Sequence, residues 1–332
     1  SQPCFPPYPP FSAMPSSYSL QESANALVPS TSVVTHPKER AALLAHLAQL
    51  YGVPRIGSFP GGHPASVSRS DLGRLRDEPA LAALKTDGVR YLLLLCTLGG
   101  AFRAVMIDRK LRMYEVVVYA GEDFFTRRTL VDGELVVDHR TGRLCFQAFD
   151  VVCMRGRRFR NEPYRDRLQV LHDRVLSALP EGVREDSEAA EGYIVEEDKI
   201  YAAMSNHGRM CIVPKRFVTL ANARALWEGR NAYPFPTDGL ILNFDRSPVQ
   251  SGTLRTVLKW KPHNAVDVAI DVPSMAVRCR EAGVEVPLTE LTCGGKTYRV
   301  TMEDNPLVQW LLHRKGHIRQ WLLECLVELH EE

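Results

Sequence analysis

Apolar residues recur along the chain in two rhythms, and the switch between them lays out the elements. From His36 to Tyr51, Leu43, Leu44, Leu47 and Leu50 fall at helical spacing among polar neighbours, and Gly52 and Pro54 end the run, which predicts a short amphipathic helix. The rhythm then shortens. Val89 to Leu95, Phe102 to Ile107, Met113 to Val118, Thr129 to Asp138 and Leu144 to Val152 are runs of β-branched, aromatic and Leu residues broken by Gly or charged turns, the pattern of strands. Gly99-Gly100 joins two of them and His139-Arg140-Thr141-Gly142 two more, both hairpin signals that predict antiparallel pairing. Helical spacing returns over 164–178, where Leu168, Val170, Leu171, Val175 and Leu176 share one broad face, and 181–191 reads as a solvated acidic loop. Further strands are predicted near 193–195, 210–213, 239–244 and 255–260, with a helix near 219–228. The elements do not alternate as βαβ units, so the predicted class is α+β with an antiparallel sheet.

Composition narrows the setting. Residues 1–35 are rich in Pro and Ser, which resists both helix and ladder and reads as a leader. The 332 residues, 45% of them hydrophobic, suffice for one large core or two moderate ones. Lys and Arg number 41 against 39 Asp and Glu, a formal charge of +2, so any binding of nucleic acid has to come from local patches. The eight cysteines (Cys4, Cys96, Cys145, Cys153, Cys211, Cys279, Cys293 and Cys325) show no Cys-x-x-Cys and no zinc spacing, which points to a reducing compartment. No run approaches the roughly 20 apolar residues that cross a bilayer. A soluble intracellular protein without a membrane partner is expected, with nucleus and cytoplasm both open.

Five segments carry candidate chemistry. Lys85-Thr86-Asp87-Gly88-Val89-Arg90 sets a lysine before a tight Asp-Gly turn at a strand entrance. Such an amine attacks phosphorus only when unprotonated, which calls for partial burial and cationic neighbours; a plain surface lysine before a turn fits the same residues. Within Asp132-Gly133-Glu134-Leu135-Val136-Val137-Asp138, Glu134 sits inside an apolar strand and is either paired with a cation or a ligand of a divalent metal. Phe149, in Phe146-Gln147-Ala148-Phe149-Asp150, is either core or a stacking face for a purine. Thr237-Asp238-Gly239-Leu240 repeats the Asp-Gly pattern and places a second carboxylate at a strand entrance. In Leu258-Lys259-Trp260-Lys261-Pro262 the two lysines project to one face of a strand, as phosphate partners or as the guard of an edge strand.

In this order, KTDGVR, DGELVVD, FQAFD, TDGLIL and LKWKP resemble the collinear motifs of the covalent nucleotidyltransferase superfamily, which comprises capping guanylyltransferases and ATP- or NAD-dependent ligases. Phe59-Pro60-Gly61-Gly62-His63-Pro64-Ala65-Ser66-Val67-Ser68 resembles the FPGxxPVS stretch of capping enzymes, as do Ile107-Asp108-Arg109 and Pro214-Lys215-Arg216-Phe217. The similarity runs from about residue 55 to 270.

The resemblance implies an antiparallel-sheet nucleotidyltransferase domain of the ATP-grasp-like ligase fold over 36–268, followed by an incomplete OB-fold lid over 269–332. It implies that Lys85 forms a lysine–GMP adduct from GTP, which then passes to the 5′-diphosphate end of an RNA. It assigns nucleotide contacts to Thr86, Asp87, Gly88, Arg90, Arg109, Glu134, Phe149, Lys215, Asp238, Lys259 and Lys261. Mg²⁺ or Mn²⁺ would be held by Glu134, Asp238 and Asp267. It also implies a nuclear setting and an RNA polymerase or other capping subunits as partners. The chain departs from the family where the lid's terminal Arg-x-Asp-Lys is expected, for no such tetrapeptide occurs. An ATP-dependent RNA or DNA ligase and a non-catalytic RNA- or partner-binding module are the competing expectations.

Overall fold

The computed structural model describes residues 33–175, 198–205, 208–262 and six strands between residues 264 and 327. The chain divides into two compact units, Ser1–Trp260 and Lys261–Glu332.

In the first unit, α1 (Pro37–Tyr51) begins with a proline in its first turn and stops at Gly52, whose φ of 66° is the left-handed cap that glycine adopts freely. Leu43 and Leu47 on its inner face are fully buried. Contacts with the sheet start before the predicted helix: Val33 bridges Tyr114, and the amide of buried Val34 donates to the Met113 carbonyl at 2.9 Å. The end of the stretch read as a leader therefore belongs to the fold, while residues 1–32 lie outside the described residues.

The large sheet is built from β3 (Val89–Leu98), β4 (Ala101–Asp108), β5 (Met113–Ala120), β6 (Thr129–Val137), β7 (Leu144–Met154), β8 (Arg157–Arg158), β9 (Ile200–Ser205) and β10 (Gly208–Pro214). Its strand order is β10-β9-β5-β4-β3-β6-β7-β8, and β10 also pairs in parallel with β7, so seven of the strands close into a ring. β3 explains the unbroken apolar run Tyr91–Cys96. Tyr91, Leu93 and Leu95 enter one core with Met106 and Phe146, whereas Leu92, Leu94 and Cys96 enter a second with Leu43 and Leu47 of α1. A strand covered on both faces has no polar side to show.

A smaller sheet has the order β1-β13-β12-β2-β11, from β1 (Gly62–Ser66), β2 (Ala80–Thr86), β11 (Val218–Thr219), β12 (Thr237–Phe244) and β13 (Gly252–Trp260). One face, with Ala82, Leu84, Leu240, Leu242 and Leu258, packs against Leu226 and Trp227 of α5 (Ala223–Glu228). The predicted helix over 219–228 begins as a 3-10 turn, Leu220–Asn222, before this α-helical piece. α2 (Asp71–Asp77), α3 (Glu122–Thr126) and α4 (Tyr164–Arg174) complete the unit. The helix predicted over 164–178 has turned extended by Val175, which bridges Ile200; 176–178, the acidic loop 181–191 and the predicted strand 193–195 lie outside the described residues.

β2 belongs to the small sheet and β3 to the large one, with only Asp87 and Gly88 between them. A Cβ on Gly88 would lie 2.5 Å from the Leu135 carbonyl oxygen, so the chain crosses between sheets at a point that admits no side chain.

In the second unit, β14 (Asn264–Asp271), β15 (Ala276–Glu281), β16 (Val284–Pro287) and β19 (Trp321–Val327) form a sheet of order β16-β15-β14-β19, and β17 (Glu290–Cys293) pairs with β18 (Lys296–Arg299). From Asn264 onward its described residues are all strand. The assignment overall is α+β, with mainly antiparallel sheets and a β-rich C-terminal region.

Candidate active site

The crossing from β2 to β3 puts Lys85 at the seam of the two sheets. Its side chain is 22% exposed, and Nζ lies 2.7 Å from Oδ1 of Asp238. That carboxylate is aimed by a register shift: Thr237 pairs with Thr86 and Gly239 with Lys85, leaving Asp238 in the irregularity between them. Bulges of this kind re-aim single side chains. The nearest charged neighbour of Lys85 is therefore a carboxylate, where the sequence suggested cations.

Thr86 is buried. Its hydroxyl donates to Oε2 of Glu134 and accepts from Lys215 Nζ at 2.8 Å, while Nζ also reaches Glu134 Oε2 at 3.4 Å. Lys215, one residue past β10, is 4% exposed. Burial pulls its ammonium below the ordinary lysine range, and Glu134 pulls the other way. Glu134 is thus paired with a cation, Lys215.

On the other side of the seam, Arg90 donates through Nε to Asp132 Oδ1 at 2.9 Å and through a terminal nitrogen to Oδ2 at 2.5 Å, a two-pronged pair. The same guanidinium donates to the Gly62 carbonyl. It lies between two rings, 5.2 Å from the centroid of Phe59 and 5.3 Å from that of Phe149. Beneath Phe149, the fully buried Arg167 clamps Asp150 at 2.7 and 3.0 Å, and the Tyr164 hydroxyl donates to the Phe149 carbonyl at 2.6 Å. A cavity of about 520 Å³ opens among these groups, lined by Lys85, Arg90, Arg109, Glu134, Phe149 and Lys215 together with Asp87 and Gly88.

The chain matches the model of the mRNA capping enzyme catalytic domain over residues 24–263. The chain belongs to that family. An mRNA-capping enzyme of Caenorhabditis elegans is 24% identical over 273 residues, covering 77% of this chain and 40% of the worm protein. The mRNA-capping enzyme subunit alpha of Schizosaccharomyces pombe is 25% identical over 257 residues, covering 70% of this chain and 58% of its own. The chain thus spans between 40% and 58% of the length of these relatives. Among solved structures, a mycobacterial DNA ligase D complexed with ATP and MES aligns at 16% identity and a TM-score of 0.36, over 66% of this chain and 65% of the ligase.

In this capping-enzyme domain the cavity gathers nine of the candidate site residues singled out by sequence, Thr86 among them, with Asp238 bonded to Lys85. Lys259 pairs in register with Ile241, which lines the cavity, and lies on the face of the small sheet opposite buried Leu258. Lys261 opens the second unit, and Asp267 lies on β14, its side chain outside the described residues. Among the described residues, no three His, Cys, Asp or Glu side chains are gathered as a metal site. Sequence reasoning missed Phe59, Asp132, Asp150, Tyr164 and Arg167 as parts of the scaffold. Asp132 and Asp150 lay within the quoted motifs; Arg167 carried no local signal, because its carboxylate partner, Asp150, belongs to another element.

Proposed function

We propose that the chain is an mRNA guanylyltransferase that takes GMP from GTP onto Lys85 and passes it to the 5′-diphosphate end of RNA. The reading rests on one observation: the amine of Lys85, on the wall of a cavity that also gathers Arg90, Arg109 and Lys215, stands 2.7 Å from the Asp238 carboxylate, in a chain of the capping family. The Lys85 nitrogen forms a bond to the α-phosphorus of GTP as the α–β bridging P–O bond breaks and pyrophosphate leaves. Asp238 is within hydrogen-bond reach to accept the proton that the amine must lose. A terminal phosphate oxygen of the RNA then attacks the same phosphorus, the P–N bond breaks, and Lys85 is restored.

Arg90 and Arg109 would meet ribose and phosphates, Phe149 would offer its ring to guanine, and Lys259 and Lys261 would neutralise the triphosphate. Thr86, Asp87 and Gly88 shape the wall beside it. Lys215 takes its part through Thr86 and Glu134. A divalent ion of the Mg²⁺ or Mn²⁺ type suits one carboxylate plus the phosphates of a bound nucleotide. Asp238, 33% exposed, fits that role better than Glu134, which Lys215 and Thr86 enclose. Such an ion shields the charge of the triphosphate when bound. On this reading the protein works in the nucleus beside an RNA polymerase or other capping subunits.

Incubation with α-labelled GTP or ATP and Mg²⁺ or Mn²⁺, followed by denaturation, tests the proposal. Label from GTP alone, released by pyrophosphate and lost in Lys85→Ala, is the expected result. Label from ATP would make it a ligase, and absence of label would remove the covalent step.

A further inference from the structure

One stretch of the first unit concentrates positive charge in a chain whose formal charge is only +2. Arg127 and Arg128 precede β6, and Arg155, Arg157, Arg158 and Arg160 occupy the turn from β7 through β8 and just beyond. Backbone and side-chain contacts join the two groups. The Gly156 amide donates to the Arg128 carbonyl at 3.0 Å, and a Cβ on Gly156 would lie 3.6 Å from that of Arg127. Arg158 donates to the Gln49 carbonyl at 3.4 Å and Arg128 to the Gln49 side chain, so both meet at the last turn of α1. A Cβ on Gly52 would lie 3.1 Å from a terminal nitrogen of Arg160, whose carbonyl accepts from the Val249 amide at 3.0 Å. Tyr51 and Val249 both line the cavity. The arginines therefore form a strip that begins at the cavity wall and leads away from it.

The strip is not neutralised. The carboxylates paired with it are Asp123, 2.6 Å from Arg155 and 3.6 Å from Arg127, and Glu162, 3.1 Å from Arg157. Arg127, Arg157, Arg158 and Arg160 are exposed, and exposed pairs of this kind are weak enough to give way to another anion. Arg128 and Arg155 also have positive φ, 67° and 50°, two of the three non-glycine residues that do so among the described residues. Side chains rarely adopt that conformation, and it persists where the surroundings hold it.

We propose that this strip binds the phosphates of the RNA chain downstream of the 5′ end that enters the cavity, an inference that rests on the guanylyltransferase reading. A strand whose end reaches Lys85 has to leave past the cavity wall, and it carries an anion at every nucleotide. Guanidinium groups match phosphate oxygens in pairs. Continuity with the wall favours the substrate's own chain over a separate acidic protein.

The test uses the triple variant Arg127→Ala, Arg157→Ala, Arg160→Ala, none of which lines the cavity, with a thermal melt to confirm an unchanged fold. Binding of a single-stranded RNA of about 20 nucleotides is measured by fluorescence anisotropy across salt concentrations. The expected result is a loss of roughly tenfold or more in affinity and a shallower salt dependence, by about 0.7 in slope for each phosphate contact removed. GTP labelling and transfer to a 5′-diphosphate dinucleotide should be unchanged. Equal RNA binding by wild type and variant overturns the proposal, as does an equal fall for long and short acceptors. Tighter, strip-dependent binding of polyglutamate than of RNA would also overturn it, assigning the surface to an acidic protein. Absence of GTP label in the wild type would sink the function while leaving the binding measurement to decide on the strip.

Discussion

Lys215 illustrates how a single residue can be chemically present and energetically awkward. It is buried, shares a hydrogen-bonded cluster with Thr86 and Glu134, and feels the positive charge of Lys85. Its pKa in the folded protein is lowered, chiefly by burial. The folded state thus loses this proton at lower pH than the unfolded chain, where lysine titrates near about 10.4. Between those two values the unfolded state binds more protons, so stability rises with pH. Urea unfolding of wild type and Lys215→Met should therefore show the difference moving in favour of the wild type as pH is raised from neutral toward that value. A difference that is flat with pH would mean that the ammonium carries no burial penalty. Lys85, Glu134 and Asp238 could be read from the sequence because each sits in a short collinear motif. Arg167 could not be read, since it pairs with Asp150 from another element and nothing in its own helix distinguishes it from a surface arginine.

Among the elements, β6 and β7 are legible in the sequence because their β-branched and aromatic runs are bounded by turn residues such as His139-Arg140-Thr141-Gly142. β2 was passed over. Its Ala-Leu-Ala-Ala-Leu composition carries little strand preference, and β12 makes it a strand by pairing with it from Ala80 to Thr86. Tertiary pairing there overrides local propensity. The crossing between β2 and β3 leaves no room at Gly88, where a Cβ would fall 2.5 Å from a backbone oxygen. Gly88→Ala has to push β6 away or tilt Lys85. The expected outcome is a loss of roughly 1–3 kcal/mol in stability, as for other overpacked sites, with GTP labelling falling by more than that loss explains. Chemical denaturation and the labelling assay together check this, and a variant with both near the wild-type level would refute the tight crossing.

At the level of the whole molecule, α+β class and antiparallel pairing followed from the spacing of apolar residues. The closure of seven strands by the parallel β7–β10 pair did not, because strands so far apart in sequence leave no local trace of their pairing. The same distance separates the parts of the cavity: Lys85 comes from β2, Arg90 from β3 and Asp238 from β12, with the Lys85–Asp238 pair 153 positions apart. Contacts of such separation are slow to form, since their loop entropy is lost before they return anything. A nucleotide seated among them would add a cross-link between two sheets already joined by the two-residue crossing and by the Thr86–Glu134 and Arg90–Gly62 hydrogen bonds. By mass action, GTP at about 100 times its dissociation constant should add about 2.7 kcal/mol to the unfolding free energy, visible as a rise in melting temperature. The seam that places Lys85 would thus also make a bound nucleotide a folding ligand: occupancy of the cleft should slow exchange of backbone amides on β2 and β3 together, as one cooperative unit.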